Sequence, residues 1–324
     1  MEFHQQQLPL FADAFTNENH LLRESLHFAE SIRAPRTLQG YLSDWKTFCL
    51  WCAKEGREAL PATTDTAKLY ITDSLLHNKR VSTLRHHVCA IIHHHRLAGC
   101  IEPSRREILT ILTGAQRIRG EQMRGKAAIT VEQLRMMVWS IDRPEPARTR
   151  DQAVLLVGFT SALRRSNLAT FTLEDVDFRP QGFVIHIRKE KQDQTGIGRY
   201  IGVPNGKHAD TCPVQALRAW LTYRGVTPGP VFCGMRASKI NHAKPIHTNT
   251  LAMIVKRGAE ALGLDTAEYA AHSLRAGFIT SALEGGVGEI VTARHSGHRS
   301  LGTLKRYMRS EDPFRANACS ALEL

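Results

Sequence analysis

The sequence predicts a mainly α protein carrying one small antiparallel β-sheet, an α+β arrangement confined to its second half behind an all-α N-terminal domain. Three observations support this expectation. Apolar residues across the first 118 positions recur at helical spacing between hydroxyl-bearing caps. Alternating strand patterns cluster in a single short hairpin around Lys191. The 324 residues also exceed what one core usually organises.

Taken in order, Thr37 is placed to cap a helix containing Tyr41, Trp45, Phe48 and Leu50. Thr63 or Thr64 opens a second helix with Leu69, Tyr70 and Leu75. Ser82 opens a third from Leu84 to Leu97, closed by Gly99, and a fourth runs from Ser104 toward Ile118. The next stretch, Arg119 to Lys126, has two glycines, three basic residues and little apolar content, and reads as a linker over residues 119–128. It separates a domain at 1–118 from one at 129–312, with 313–324 left as a C-terminal segment.

The second domain opens at Ile129, with Thr130 as a helix cap. The apolar run Ala153 to Val157 leads into Gly158 to Leu168, a helix-to-turn pattern that contains Arg164 and Arg165. Phe183 to Ile187 and Tyr200 to Val203 alternate on either side of Lys191, so the lysine falls at a hairpin tip. Pro213 and Gly225 bracket a further helix that runs to Tyr223. His272 and Arg275 stand at i and i+3 on one helical face. His298 follows Ser296-Gly297, and Tyr307 comes nine positions later. Nine residues of unbroken helix turn about 900° and would put these two side chains on opposite faces. A break is therefore expected between them, supplied by Gly302 with Ser300 or Thr303 as cap.

Arg164, Lys191, His272, Arg275, His298 and Tyr307 form a candidate site whose chemistry follows from residue type. A phenol titrates near 10, so forming phenolate at neutral pH costs roughly 4 kcal/mol, and attack at phosphorus piles negative charge on the surrounding oxygens. Guanidinium forks suit the nonbridging oxygens, whereas ammonium or imidazole can release a proton to a leaving oxygen. Singly, Tyr307 fits a half-buried anchor, Arg275 a surface ion-pair partner, and Lys191 a solvated hairpin edge within Arg188-Lys189-Glu190-Lys191. It is the six together, in order, that point to a phosphodiester.

This pattern resembles the tyrosine recombinase (phage integrase) family, with a Cre-like or Xer-like two-domain architecture. The family's motifs are an arginine in a Gly-Leu-Arg-x-Ser-Glu-Leu type segment, a hairpin lysine, His-x-x-Arg, Gly-His and a nucleophilic tyrosine nine residues on. They fall here on Arg164, Lys191, His272 with Arg275, His298 and Tyr307, all within residues 129–312. Two departures stand out: Asn167 occupies a position the family usually makes acidic, and Arg165 directly follows Arg164. The resemblance implies a site-specific DNA recombinase that works through a 3'-phosphotyrosyl intermediate without metal, cofactor or ATP. It implies a helical core-binding domain that clamps duplex DNA with the catalytic domain, paired half-sites, and a tetramer in which residues 313–324 dock on a neighbour. By the same resemblance Arg124 and Lys126 are expected on phosphates and Arg85 and His86 at base edges. A type IB topoisomerase activity and a non-catalytic DNA-binding regulator remain the alternatives.

Composition agrees with a nucleic-acid partner. The formal net charge of +12 favours a polyanion. There is no apolar run of about 18 residues and no apolar leader core, so the chain is expected in the cytoplasm, associated with the nucleoid, and not in a membrane. Seven cysteines argue for reduced thiols. Cys49-x-x-Cys52 lacks a second pair, and His86, His87, His93, His94 and His95 include no i, i+4 pair, so no metal is expected.

Overall fold

The structure, a computed structural model, describes residues 35–120, 125–188 and 198–304 together with Tyr307. Lys191, Arg124 and the segment 313–324 lie outside the described residues. The chain divides into two compact units, Met1–Met123 and Arg124–Leu324.

In the first unit the helices are α1 (Pro35–Lys54), α2 (Thr64–Leu76), α3 (Val81–Leu97) and α4 (Arg105–Arg119). Thr63 and Ser104 cap α2 and α4 with their side chains, as their positions predict. Two expected caps fail. Helix α1 already includes Pro35 and Arg36, so Thr37 lies inside it. Helix α3 opens at Val81 after Arg80, with no side-chain cap, and Ser82 is its exposed second residue. Val81, Leu84, Val88 and Ile91 are buried in one core with Phe48 of α1, Tyr70 and Ile71 of α2, and Ile108 and Leu112 of α4. α3 is thus the helix around which the other three pack.

The second unit begins with a capping box, Thr130 with Gln133, at the head of α5 (Val131–Trp139). Helix α6 (Ala147–Thr160) is buried on nearly every side, so its apolar run shows no helical stripe. The short α7 (Arg165–Thr170) follows, then a three-stranded antiparallel sheet ordered β1 (Val176–Arg179), β2 (Gly182–Ile187), β3 (Arg199–Pro204), in which Ile187 pairs with Arg199. Next come α8 (Pro213–Arg224), with Pro213 in its first turn, and a second hairpin, β4 (Cys233–Arg236) with β5 (Lys239–Pro245). The sequence reading contained no such hairpin. β5 is largely exposed and polar, so it shows no apolar alternation, and the link through Ala237 reaches φ +52° without the usual Gly or Asn. Helices α9 (Thr248–Ala261), α10 (His272–Glu284), α11 (Glu289–Ser296) and α12 (Leu301–Leu304) complete the unit. No described helix is long and apolar enough to cross a membrane.

Gly277 in α10 lets that helix touch the strand-like segment before α5. A Cβ there would lie 2.1 Å from the Ile129 carbonyl oxygen and 2.8 Å from the Phe159 ring. In a free helix Gly→Ala gains about 1 kcal/mol. A backbone oxygen cannot step aside as a flexible side chain can, and overpacking costs about 1–3 kcal/mol. Gly277→Ala is therefore expected to lower the melting temperature; a rise in calorimetry would mean that α10 can shift.

Candidate active site

Five of the six predicted side chains come together at one place. Helix α6 ends at Ser161, and Ala162 turns the chain with φ +49°, a left-handed conformation that costs a non-glycine residue roughly 1–2 kcal/mol. Arg164 then stands as the N-cap residue of α7 and sends Nη2 to the Gly297 carbonyl at 3.3 Å. Arg165 is the first residue of α7. At Asn167, the departure from the family pattern, Oδ1 accepts from Ser166 Oγ at 3.2 Å.

Helix α10 starts at His272 and brings Arg275 one turn later onto the same face. Arg275 is 1% exposed. Its Nη1 donates to the Ala162 carbonyl at 2.6 Å and to the Ser296 carbonyl at 2.5 Å. The turn made by Ala162 therefore positions Arg164 and also supplies an acceptor for Arg275.

His298 and Tyr307 are separated by the expected break, with Ser300 at the head of the next helix, but Gly302 does not make it. Helix α11 ends at Gly297, a left-handed C-cap at φ +70°, and the backbone N–H of His298 donates to the Ala293 carbonyl at 2.9 Å. Ser300 accepts the first backbone bonds of α12, and Gly302 lies within that helix, not at the break. Tyr307 follows, half-buried, and packs on a small cluster of Ile279, Ala293 and Leu304.

Tyr307 Oη lies 2.9 Å from Nε2 of His272. The His298 and Tyr307 rings are 5.7 Å apart. Burial holds His272 below the ordinary imidazole range, and Arg275, Arg164 and Arg165 press the same way by repelling further positive charge. His298 is pushed down to about 4, again chiefly by burial, then by Arg275, Arg164, His272 and Arg199. Both rings are neutral at pH 7. The tautomer of His298 follows from its neighbour. The Ser296 hydroxyl donates to the Thr292 carbonyl at 2.7 Å, so it can only accept from His298 Nδ1, 2.8 Å away. Arg275 Nη2 stands 3.3 Å from Nδ1 and 3.2 Å from Nε2, at nearly equal distance from the two ring nitrogens.

Lys191, the sixth residue, lies outside the described residues; the strands β2 and β3 that flank it are in place. The sequence reading missed Arg199, His295 and Ser296, which hold the end of α11. No periodicity or motif marks Arg199, and His295 is overshadowed by the Gly-His pair beside it.

The expected DNA contacts of the first unit already have protein partners. Arg85 Nη2 donates to Gln116 Oε1 at 3.3 Å, and His86 Nδ1 meets the Asp44 carboxylate. Because α3 is central, its exposed residues in the first two turns are only Ser82, Thr83 and His86. Lys126 donates to the Ala267 carbonyl within the second unit. Arg124 lies outside the described residues.

The chain is similar to known proteins along most of its length. The Phage integrase family matches residues 127–313. An integrase/recombinase XerD homolog from Selenomonas ruminantium is 31% identical over 310 residues, spanning 94% of this chain and 91% of the relative. The Cre recombinase of Escherichia phage P1 is 22% identical, over 84% of this chain and 83% of its own. Among solved structures, a XerH recombinase bound to a palindromic difH substrate aligns with a TM-score of 0.59 at 17% identity, over 81% of this chain and 71% of its own. A lambda integrase dimer on a COC' core site aligns at 0.57 and 17%, over 88% and 75%. With a family match across more than half its length and a relative above 30% identity along nearly all of it, the chain belongs to the phage integrase family of tyrosine recombinases.

Proposed function

We propose that this protein is a site-specific DNA recombinase whose nucleophile is Tyr307, acting on duplex DNA with paired half-sites in the cytoplasm. The observation that carries the reading is the 2.9 Å contact between the Tyr307 hydroxyl and His272, beside Arg164 and Arg275. Neutral His272 accepts the phenol proton as Oη attacks the scissile phosphorus. Arg164 and Arg275 take the nonbridging oxygens, where charge accumulates. The bond from phosphorus to the 5'-oxygen breaks, and Lys191, by resemblance to the family, gives that oxygen its proton. A 3'-phosphotyrosyl link and a free 5'-hydroxyl result. The link is still a phosphodiester, so a 5'-hydroxyl from a second strand reverses the step with no energy source.

His298 has a two-stage role in this scheme. In the free protein its ring lies against Arg275 Nη2, within 3.3 Å of both ring nitrogens. An arriving phosphate supplies negative charge that favours the imidazolium, which then donates from Nε2 to a phosphate oxygen. Strand exchange requires two duplexes held together, and a tetramer with residues 313–324 docked on a neighbour satisfies that need. The excess of 43 basic over 31 acidic residues favours DNA at every stage.

Three outcomes test the reading. On a nicked suicide substrate in EDTA, wild type is expected to form a covalent protein–DNA adduct and Tyr307→Phe none; specific binding by wild type without adduct would defeat the nucleophile assignment. The second-order cleavage rate reports groups of the free enzyme. With His272 held below about 6.5, the ordinary value, its acid limb should lie below that value, and the rate should fall only as pH drops through the depressed pKa; a limb at or above 6.5 would remove His272 as proton acceptor. Deleting residues 313–324 should leave binding to a single half-site intact and impair recombination, and full recombination by the truncated chain would exclude docking in trans.

A further inference from the structure

The last turn of α11 is held from three sides. Arg275 reaches the Ser296 carbonyl from α10. His295 Nε2 lies 2.9 Å from the Thr160 carbonyl at the end of α6, with its ring stacked on Phe278 at 4.5 Å. The third holder is Arg199, the first residue of β3. Its Nη1 donates to the His295 carbonyl at 2.6 Å and its Nη2 to the Ser296 carbonyl at 3.5 Å.

Arg199 also shapes the residue that precedes His298. A Cβ built on Gly297 would stand 2.7 Å from Arg199 Nε, 2.9 Å from Cζ and 3.0 Å from Nη2. The guanidinium therefore fills the space where any other side chain would begin, and the left-handed φ of +70° already favours glycine there. The end of a helix presents carbonyls without intrahelical partners and a partial negative charge. A planar fork can satisfy two successive carbonyls and supply the complementary charge, which a lysine, with a single ammonium, cannot do in the same geometry.

We propose that Arg199 is a positioning residue for the cleavage reaction: from the start of β3 it fixes the turn Ser296-Gly297-His298, and with it the His298 ring and the Arg275 guanidinium that shares the Ser296 carbonyl. The proposal rests on the recombinase reading above and gives Arg199 no contact with DNA. The groups facing His298 are Arg275 and His272 from α10, Arg164 from the N-cap of α7, Arg199 from β3, Ser296 of its own turn, and the Tyr307 ring. Loss of Arg199 thus removes a geometric clamp and one of the positive charges that keep His298 neutral.

The test uses full-length protein on a nicked suicide substrate, comparing wild type, Arg199→Met and Arg199→Lys. Half-site affinity and its salt dependence should be unchanged in both variants. At saturating DNA, adduct formation by Arg199→Met should slow by about 100-fold, the scale of a misplacement near 1 Å. Its acid limb, set by His272, should stay where it is in wild type, since Arg199 is not among the charges that act on His272. Arg199→Lys should restore only part of the rate, since it keeps the charge and loses the fork. A methionine variant that cleaves at the wild-type rate would overturn the proposal. So would a defect that lies wholly in affinity with the salt slope reduced by about one, the mark of a lost phosphate contact. If Arg199→Met does not fold, judged by its melting curve, Arg199→Lys decides alone, and a wild-type rate in it rejects the proposal. Wild type without adduct would defeat the recombinase reading and this proposal with it; wild-type adduct with unimpaired variants would defeat the proposal only.

Discussion

The C-terminal end of α11 is the constraint on which the site depends. Carbonyls of three successive residues, His295, Ser296 and Gly297, receive the guanidinium groups of Arg199, Arg275 and Arg164. Three cations brought together repel one another, by about 1 kcal/mol per pair at 4 Å in water and about 4 at an intermediate dielectric. A hydrogen bond to a charged group returns about 1.5–3 kcal/mol, and the helix end adds its own partial negative charge. The carbonyls thus do part of the work of a counter-ion without being one. A carboxylate in the same place would neutralise the arginines and compete with a phosphate, whereas carbonyls hold the guanidiniums still and leave their charge uncancelled.

The same end of helix explains how four remote stretches of sequence meet. The α6–α7 turn supplies Arg164, β3 supplies Arg199, α10 supplies His272 and Arg275, and the turn after α11 supplies His298. Each arrives at an element boundary, where side chains can converge, rather than from the middle of a regular face. The cost is local strain: Ala162 holds a left-handed backbone without being glycine, and its carbonyl is an acceptor for Arg275. The buried α6 and the close contact at Gly277 make the frame stiff enough to keep that conformation.

What was legible in the sequence was what local chemistry dictates. Thr63, Ser104 and Thr130 cap their helices through their own side chains, and Pro213 and Gly225 bracket α8, because these preferences need no distant partner. Thr37 and Ser82 failed as caps because residues upstream of them are already helical, and nothing in a cap's own chemistry registers a turn that begins upstream. The β4–β5 hairpin was hidden because an exposed strand has no apolar alternation to read. In the site, residue types and order marked five of the gathered groups, while Arg199 gave no signal, since its meaning lies in the carbonyls of residues almost a hundred positions away.

The arginines and histidines also depend on each other in opposite senses. The guanidiniums that would stabilise a pentavalent phosphorus are the charges that, after burial, push His272 and His298 down. This keeps His272 in the basic form, which on the proposed mechanism is the form that takes the phenol proton. A phosphate anion entering the same space weakens the repulsion between cations and lets an imidazole take and hold a proton at little cost. On the proposed mechanism, proton transfer from Tyr307 would then be easiest when the phosphate is present and hardest when it is not. A nucleophile controlled in this way would need no separate gate, because the substrate's own charge would complete the site that attacks it.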